Sequence, residues 1–360
     1  MAKWRVAIIG ATGMVGRRFI ELLQKHPWFE ISCLAASSRS AGKKFSELVN
    51  PESLSAYTDK VLNLTVLDSY DVEAVKACSD FAFCAISLHK AATRELEEKY
   101  ASAGLPIVSN NSACRMVPDV PMIIPEINGN HLEVIPAQQR RLDTKTGFIA
   151  VKPNCSIQSY VPALTPLLKF GIDKLSVCTY QAVSGAGKTL ETWPEMQDNI
   201  IPYIGGEEEK SEIEPLKVWG KLNDDKSVIL LSDKPTISAQ CIRVPVLDGH
   251  MAAVSVSFKN KPSKEDILSA WNTPSPIENL ELPSSPTPYL KYFEEADRPQ
   301  TRLDRMLGNG MSISMGRLRE DSLFDWRFVC LSHNTLRGAA GGAVLTAELL
   351  CKKGYIPKEG

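Results

Sequence analysis

The 360-residue sequence predicts an α/β protein with a doubly wound parallel sheet in its N-terminal half and a second α/β domain after it. Three observations lead to this fold class. Short apolar runs alternate with helical patterns through Val108, which is typical of a parallel sheet with helices on both faces. A glycine-rich segment joins the first apolar run to the first helical pattern. From about Lys174, apolar runs follow one another with fewer helices between them, which indicates a mixed or antiparallel sheet.

Apolar runs and helical periodicity locate the individual elements. In the N-terminal half, the predictions are strand Val6–Ile9, helix Gly13–Gln24, strand Ile31–Leu34, strand Phe81–Ile86, helix Lys90–Ala103, strand Pro106–Val108 and strand Gly147–Val151. In the C-terminal half they are helix Ile157–Leu168, strand Ser176–Val183, strand Gln240–Val246, strand Met251–Phe258, a proline-rich surface loop Pro274–Pro288 and helix Thr335–Lys352.

The composition is that of a globular protein with a sizeable core, since 44% of the residues are hydrophobic. A formal net charge of −1 gives no electrostatic reason to expect nucleic acid or a membrane surface as a partner. No apolar run approaches the ~20 residues that a membrane-spanning helix needs. Nine cysteines without a C-x-x-C pair indicate a reducing compartment, no disulfide framework and no metal site. Because the N-terminus carries no signal-peptide pattern, we expect a cytoplasmic protein.

The segment GATGMVG, with Gly10, Gly13 and Gly16, follows the first predicted strand and opens the first predicted helix. Glycines in such a turn allow a pyrophosphate to approach the free N–H groups of the helix N-terminus. The spacing G-x-x-G-x-x-G differs from the usual G-x-G-x-x-G, and a glycine-rich turn without a ligand is the alternative interpretation. The position in the first strand–helix unit favours a dinucleotide-binding site.

The end of the second predicted strand indicates which dinucleotide is bound. Enzymes that use NAD usually carry an acidic residue there, which binds the ribose 2′-hydroxyl. This sequence has Ser37, Ser38, Arg39 and Ser40 instead, and no acid. A guanidinium with neighbouring hydroxyls suits the 2′-phosphate of NADP, which a carboxylate would repel. We therefore predict NADP, and the alternative is a solvated basic loop.

Cys155, in the segment VKPNCSIQS, lies between a predicted strand and a predicted helix start. A free thiol with a pKa near ~8.5 is only about 3% ionised at pH 7, and a helix N-terminus lowers that pKa by less than about one unit. A nucleophilic cysteine therefore needs a neighbouring cation or base, most naturally a histidine. Among five histidines, His250 is favoured because it lies near Arg243, which is expected at a strand centre, where its burial would require an anion. His26 is expected at the surface.

Several segments together resemble the aspartate-semialdehyde dehydrogenase family, in its archaeal and fungal branch. In chain order they are GATGMVG, SSRSAGKK, SNNSACRM, DVPMIIPEIN, VKPNCSIQ, YQAVSGAGK, GGEEEK, CIRVPVLDGH and HNTLRGAAGGAVLTAELL. The match covers nearly the whole chain. The resemblance implies an NADP-binding Rossmann domain over residues 1–154, a catalytic and dimerisation domain over 155–334, and a C-terminal helix over 335–360 that packs back on the first domain.

The resemblance also implies a reaction, in which aspartate 4-semialdehyde, phosphate and NADP⁺ give 4-aspartyl phosphate and NADPH, a step toward lysine, threonine and methionine. Cys155 matches the nucleophile that forms a thioester, His250 the general acid/base, and Gln181 the residue that orients the acyl intermediate. Imidazole suits proton transfer because its pKa lies near neutrality. The substrate-binding residues implied are Arg243 for the carboxylate, Glu207 for the ammonium, Arg115 and Lys210 for phosphate, and Asn154.

The cofactor site implied by the same resemblance draws on both halves of the chain. It comprises Gly10, Thr12, Gly13, Met14, Val15, Ser37, Ser38, Arg39, Ser40, Ser87, Ser184, Gly185, Gly187 and Asn334, the last of these near the nicotinamide. The partners implied are the small-molecule substrates and further copies of the chain, in a homodimer or homotetramer. Neither nucleic acid nor a membrane is expected to bind.

Other functions remain open on the sequence. The segment AVSGAGKT, Ala182 to Thr189, matches a relaxed phosphate-binding loop, so a P-loop phosphotransferase is an alternative. A malonyl-CoA reductase, or an NADP-binding sensor without activity, would use the same fold. Pro215 is expected to interrupt the helix after Lys210 unless it lies in the first turn, which questions the placement of Glu207 and Lys210.

Overall fold

The computed structural model describes residues 2–358 and contains two six-stranded sheets. The first sheet consists of β1 (Trp4–Ile9), β2 (Phe29–Ala36), β3 (Val66–Asp68), β4 (Phe81–Cys84), β5 (Ile107–Ser109) and β6 (Ile149–Val151). All neighbours in this sheet are parallel, and their spatial order is β3-β2-β1-β4-β5-β6. That order is the doubly wound Rossmann arrangement, which confirms the fold predicted for the N-terminal half.

Helices cover both faces of the first sheet. They are α1 (Met14–Leu23), α2 (Asp59–Leu62), α3 (Val72–Ala77), α4 (Lys90–Ser102), α5 (Pro125–Asn128) and α6 (Ile135–Arg141). The face that carries Ala7 and Ile9 packs with Leu96 of α4, whereas the face that carries Val6 and Ile8 packs with α1. The sequence patterns found α1 and α4 but missed β3, α2 and α3, because three to six residues give too little periodicity to detect.

The C-terminal half forms a second, mixed sheet, as predicted. The strands in this half of the chain are β7 (Ile172–Gln181), β8 (Lys221–Leu222), β9 (Ile229–Leu230), β10 (Thr236–Arg243), β11 (His250–Phe258), β12 (Leu290–Phe293), β13 (Ile313–Glu320) and β14 (Trp326–Ser332). In the described part of the chain, β8 and β9 pair only with each other, and the other six strands follow the order β10-β7-β11-β14-β13-β12. The outer pairs β10–β7 and β12–β13 are parallel, and the inner pairs are antiparallel.

The remaining helices are α7 (Ile157–Leu164), α8 (Glu207–Val218), α9 (Lys264–Trp271), α10 (Thr301–Asp304), α11 (Leu307–Gly310) and α12 (Gly341–Lys352). Helix α7 is buried along its whole length. Its side chains belong to one hydrophobic cluster that also includes Ile9 of the first sheet and Val254 of the second. The two sheets therefore share a continuous core. Within residues 2–358, no helix has both the length and the apolar character needed to cross a bilayer.

The C-terminal helix α12 packs on the first sheet, as predicted. Val344 and Leu349 join the cluster that contains Val6. His26 is only 6% exposed, and its Nε2 lies 2.8 Å from Oε1 of Glu348 in α12. The expectation of a surface histidine is wrong because the returning helix covers it.

Helix α8 runs through Pro215 without interruption, so the expected break is wrong. Proline has no N–H to donate to the carbonyl of Ser211, four residues earlier. The hydroxyl of Tyr160 donates a 2.7 Å hydrogen bond to that carbonyl instead. The buried carbonyl keeps a partner, and Glu207 and Lys210 lie in the first turn of a continuous helix.

Candidate active site

The carboxyl ends of β1, β2 and β4 meet at one edge of the first sheet, beside the glycine-rich segment. Gly10 has a φ of +89°, and a Cβ at this position would lie 2.4 Å from the carbonyl oxygen of Ala85. A Cβ on Gly16 would lie 2.1 Å from the carbonyl oxygen of Gly10. Only glycine fits these contacts, which bring the N-terminus of α1 close to the turn. The other residues predicted here form the turn and the helix start: Thr12, Gly13, Met14 and Val15.

The residues predicted to select NADP lie in the turn that follows β2. Ser37, Ser38 and Arg39 are exposed, Ser40 is half-buried, and the Ser40 N–H donates to the Ser37 carbonyl at 2.8 Å. Ser87 follows β4 and is also exposed. Since β2 and β4 both pair with β1, these side chains lie at the same sheet edge as the glycine turn. Their hydroxyls and guanidinium are accessible to a ligand.

Cys155 lies where the chain passes from β6 of the first sheet to α7, two residues before the helix begins. His250 is the first residue of β11, in the second sheet, and is fully buried. The structure brings the two together, with 3.5 Å between Sγ of Cys155 and Nε2 of His250.

The His250 ring is oriented by a backbone amide. The N–H of Ala182 donates to Nδ1 at 3.1 Å, so the neutral ring carries its proton on Nε2, which faces the sulfur. Burial, followed by the charge of Arg243, lowers the pKa of His250 to about 3. The ring is therefore neutral near pH 7, and its Nε2–H is a hydrogen-bond donor toward the sulfur. To accept a proton at Nε2, the ring must first give up its bond with Ala182.

Burial raises the pKa of the Cys155 thiol above its ordinary value, and the carboxylate of Glu207 raises it further. The charges of Lys152, Arg115 and Arg243 act in the opposite direction but do not outweigh burial. The thiol of the free protein is therefore protonated at neutral pH.

The raised pKa of Cys155 and the lowered pKa of His250 predict the pH dependence of kcat/KM for a substrate that the Cys155 thiolate attacks, because this ratio reports groups of the free protein. A thiol with a raised pKa ionises as the pH rises, so kcat/KM should increase from pH 7 to pH 9 or above. A histidine with a pKa of about 3 should contribute no limb near pH 6.5. We would measure initial rates from pH 5 to pH 10. A limb with the pKa of a free histidine would contradict this assignment.

Arg243 ends β10 and does not occupy the strand centre that the sequence predicts. The residue is 5% exposed, and its Nη1 donates to the carbonyl of Ala182 at 2.7 Å. A Cβ on Gly185 would lie 2.8 Å from that Nη1 and 2.9 Å from Nε2 of His250. Glycine at position 185 thus lets the chain pass directly over both side chains.

Glu207 accepts hydrogen bonds from three polar side chains. Its carboxylate accepts hydrogen bonds from Nζ of Lys210 at 2.8 Å, Nδ2 of Asn154 at 3.0 Å and Nε2 of Gln181 at 3.4 Å. Burial opposes ionisation of Glu207, but Lys210, Asn154 and Gln181 outweigh it and lower the pKa of the carboxyl. A buried carboxylate held this way is part of the site rather than of a solvated charge run.

A cleft of about 310 Å³ lies between the two halves of the chain, above Cys155. Eleven of the predicted residues line it: Met14, Val15, Arg115, Asn154, Cys155, Ser184, Gly185, Gly187, Glu207, Lys210 and Asn334. Six further residues line the cleft and were not predicted: Arg18, Asn110, Ser112, Thr335, Gly338 and Ala339. A Cβ on Gly338 would lie 2.9 Å from Cβ of Cys155, so the run of small residues after Arg337 was the available signal.

Two buried cations close to the site were also missed. Lys152 is 1% exposed and donates from Nζ to the carbonyl of Pro153, and burial lowers the pKa of Lys152 to about 7. Arg337 forms a bidentate pair with Glu126, at 2.6 Å and 2.8 Å, and donates from Nε to Gln158 of α7 at 3.2 Å. Arg337 thus ties the segment that lines the cleft to α5 and α7.

The segment AVSGAGKT does not adopt the P-loop arrangement. Val183–Ala186 form one turn of 3₁₀ helix, Gly187 has a φ of +70°, and the next α-helix begins only at Glu207. A P-loop requires a helix directly after its glycines, whose N-terminus binds the phosphates. The P-loop alternative is therefore not favoured, and the glycines instead bring this segment against Arg243 and His250.

Comparison with known proteins gives consistent matches. Residues 5–135 match the family described as "Semialdehyde dehydrogenase, NAD binding domain", and residues 164–337 match "Semialdehyde dehydrogenase, dimerisation domain". The aspartate-semialdehyde dehydrogenase of Archaeoglobus fulgidus is 43% identical over 356 residues, covering 98% of this chain and all of that protein. The enzyme of that name from Saccharomyces cerevisiae is 40% identical over 379 residues, covering 99% and 100%. The crystal structure of aspartate semialdehyde dehydrogenase with NADP from Candida albicans matches with a TM-score of 0.87 and 37% identity, covering 98% of this chain and 100% of that one.

Proposed function

Because the chain belongs to the aspartate-semialdehyde dehydrogenase family, we propose that Cys155 and His250 carry out its reaction in the cleft described above. The chain is an NADP-dependent oxidoreductase that converts aspartate 4-semialdehyde and phosphate to 4-aspartyl phosphate. The malonyl-CoA reductase and sensor alternatives are not favoured. The observation that carries the assignment of the site is the 3.5 Å approach of Nε2 of His250 to Sγ of Cys155.

The glycine turn fits a dinucleotide, because Gly10 and Gly16 let the N-terminus of α1 approach the turn closely, where its free N–H groups would face a pyrophosphate. Arg39 and the serines around it would hold the 2′-phosphate, and Ser184 and Asn334 would lie toward the nicotinamide. Asn334 is itself fixed, since its Nδ2 donates to Oγ of Ser184 at 2.8 Å. When bound, NADP⁺ supplies the acceptor for the hydride that leaves the substrate.

Substrate binding follows from the charges around Cys155. The Arg243 guanidinium would bind the substrate carboxylate through two hydrogen bonds, and the Glu207 carboxylate would bind the ammonium. Gln181 and Asn154 both donate to Glu207, so they hold its carboxylate in place at the wall of the cleft. Arg115 and Lys210 line the same cleft and would bind phosphate.

Once the Cys155 thiol has ionised and released its proton to solvent, the thiolate would add to the aldehyde carbon, and a thioester would remain on the sulfur after the oxidation. In the tautomer described, Nε2–H of His250 would donate a hydrogen bond to the oxygen that becomes negatively charged. Proton transfer by the ring would require its release from the Ala182 amide. Phosphate held by Arg115 and Lys210 would then attack the thioester, which frees the thiolate and releases the acyl phosphate.

We also propose that the chain forms a homodimer through the open face of the second sheet. On β11, buried residues alternate with half-buried ones, and Met251 and Ala253 lie opposite Tyr180 and Cys178 of β7. Tyr180 is 37% exposed, so this face presents apolar side chains to a partner. These strands belong to the region that matches the dimerisation family. Assembly to a homotetramer and a cytoplasmic location remain further proposals.

The domain boundaries at 154/155 and 334/335 remain a proposal as well. Their support is that the chain passes from the first sheet to α7 at Cys155, and leaves the second sheet after Ser332 for α12 on the first.

One assay tests the function. We expect NADPH formation from aspartate semialdehyde and NADP⁺ to require phosphate, because the thioester turns over only when phosphate attacks it. The rate with NAD⁺ should be lower, since Arg39 and its neighbouring serines have no phosphate to bind. NADPH oxidation with malonyl-CoA is the matched comparison. Turnover without phosphate would contradict the acyl phosphate product, and faster oxidation with malonyl-CoA would contradict the assigned substrate. Equal use of NAD⁺ would contradict the preference for NADP.

A further inference from the structure

One face of helix α8 carries charged residues at intervals of three and four: Glu207, Lys210, Glu214 and Lys217. This spacing places their side chains on the same side of the helix. Glu207 and Lys210 belong to the cleft already described. Glu214 and Lys217 lie one and two turns beyond Lys210, and both side chains are buried.

Glu214 joins two groups of the site. The residue is 2% exposed. Its Oε1 accepts a 3.0 Å hydrogen bond from Nη1 of Arg115, and its Oε2 accepts a 2.6 Å hydrogen bond from the backbone N–H of Asn154, the residue before Cys155. One carboxylate therefore links the proposed phosphate-binding arginine to the backbone of the nucleophile.

The remaining contacts of Arg115 fix its guanidinium completely. Nε donates to the carbonyl of Lys152 at 3.0 Å, and Nη2 donates to the carbonyl of Asn110 at 3.2 Å. Guanidinium has five N–H groups, so the bonds within residues 2–358 leave one N–H on Nη1 and one on Nη2. Two N–H groups on neighbouring nitrogens suit two oxygens of a phosphate.

Lys217 holds the backbone of the same loop. Its Nζ donates to the carbonyls of Arg115, Val117 and Val120 at 2.6 Å, 2.7 Å and 2.9 Å. The side chain and the main chain of Arg115 are thus both attached to α8, the helix that also supplies Lys210.

We infer that Glu214 is a positioning residue for phosphate, which aims Arg115 at the thioester by bonding Arg115 and the Asn154 amide at once. The inference rests on the proposed role of Arg115 in phosphate binding. Glutamine at position 214 keeps the size of the side chain but replaces one acceptor oxygen with an NH₂ donor. Its two terminal atoms therefore cannot accept hydrogen bonds from both Arg115 Nη1 and the Asn154 amide.

The test separates two half-reactions of the full-length enzyme. Without phosphate, the burst of NADPH measures thioester formation, and added phosphate measures its release. Glu214→Gln should lower kcat/KM for phosphate by about tenfold or more, the usual effect of losing a hydrogen bond to a charged group. The burst rate and KM for the semialdehyde should change by less than about threefold. Exposed Glu209, on the outer side of α8, provides the matched control Glu209→Gln, which should leave both quantities unchanged.

A double-mutant cycle with Arg115→Ala decides whether Glu214 acts through Arg115. In the Arg115→Ala background, Glu214→Gln should cause no further loss for phosphate, and additive losses would overturn the inference. Equal losses in the burst and in the phosphate step would also overturn it. If Glu214→Gln does not fold, two other variants test whether Glu214 positions Arg115. The double variant removes both buried charges, and Glu214→Asp keeps the charge but shortens the side chain. If Arg115→Ala itself leaves phosphate dependence unchanged, the proposed function of Arg115 fails instead.

Discussion

Replacing Cys155 with alanine is expected to abolish turnover, lowering kcat by at least about 10⁴-fold, as removal of a covalent nucleophile typically does. Cys155 is the one cysteine among those of residues 2–358 that lines the cleft. No neighbouring thiol can therefore replace it. The serine and threonine hydroxyls near the cleft are poor nucleophiles without an adjacent base.

The same variant should fold and bind NADP normally. Cys155 is half-buried and makes no hydrogen bond with the backbone of residues 2–358, and the glycine turn and Arg39 lie on other segments. Thermal unfolding and NADP titration would establish both points beside the rate measurement. Cys78→Ala is the control, because Cys78 is also half-buried but lies in the first domain after α3, away from the cleft. Activity retained by Cys155→Ala would remove the central assignment.

His250→Asn is expected to lower kcat by ~10²–10⁴, the usual range for an acid/base residue. Asparagine can still accept the Ala182 N–H, so the local backbone keeps its partner, but no ring nitrogen then faces the sulfur. The loss should therefore appear in kcat rather than in KM for the semialdehyde.

The matched control is His89→Asn, since His89 is exposed and precedes α4. A variant of His250 that changed only KM would give this residue a role in binding and not in the chemistry. Steady-state measurements with both substrates distinguish the two outcomes.

The sequence predicted the layers of the fold because each long element carried its own period. Cys155 and His250 were proposed for the site because their flanking segments resemble those of the family, and the structure places their Sγ and Nε2 atoms 3.5 Å apart. Contacts between distant positions outside these distinctive segments could not be predicted. The Tyr160 hydroxyl that lets α8 continue through Pro215 lies 51 residues from Ser211 in the chain, and the Arg337–Glu126 pair spans 211 residues. No local pattern encodes such pairs.

The spacing of charged residues in the sequence relates Glu214 to the site, but this spacing was not used in the predictions. Glu214 lies seven residues after Glu207, which places both residues on the same face of α8. Because a break at Pro215 was expected, a continuous helix carrying both residues was not predicted. Lys152 directly precedes the segment PNCS and follows the apolar strand β6, yet a single lysine after a strand is usually a solvated charge. Only the packing around it shows that this one is buried.

The chain passes between the two sheets at two places, and both lie at the reacting sulfur. The first passage contains Cys155, and the second contains Gly338, whose missing side chain leaves room for the Cβ of Cys155. A rigid-body rotation of one sheet against the other has to be taken up in these two connections. Any such displacement would therefore change the surroundings of the thiol directly, because the sulfur lies between the two connections.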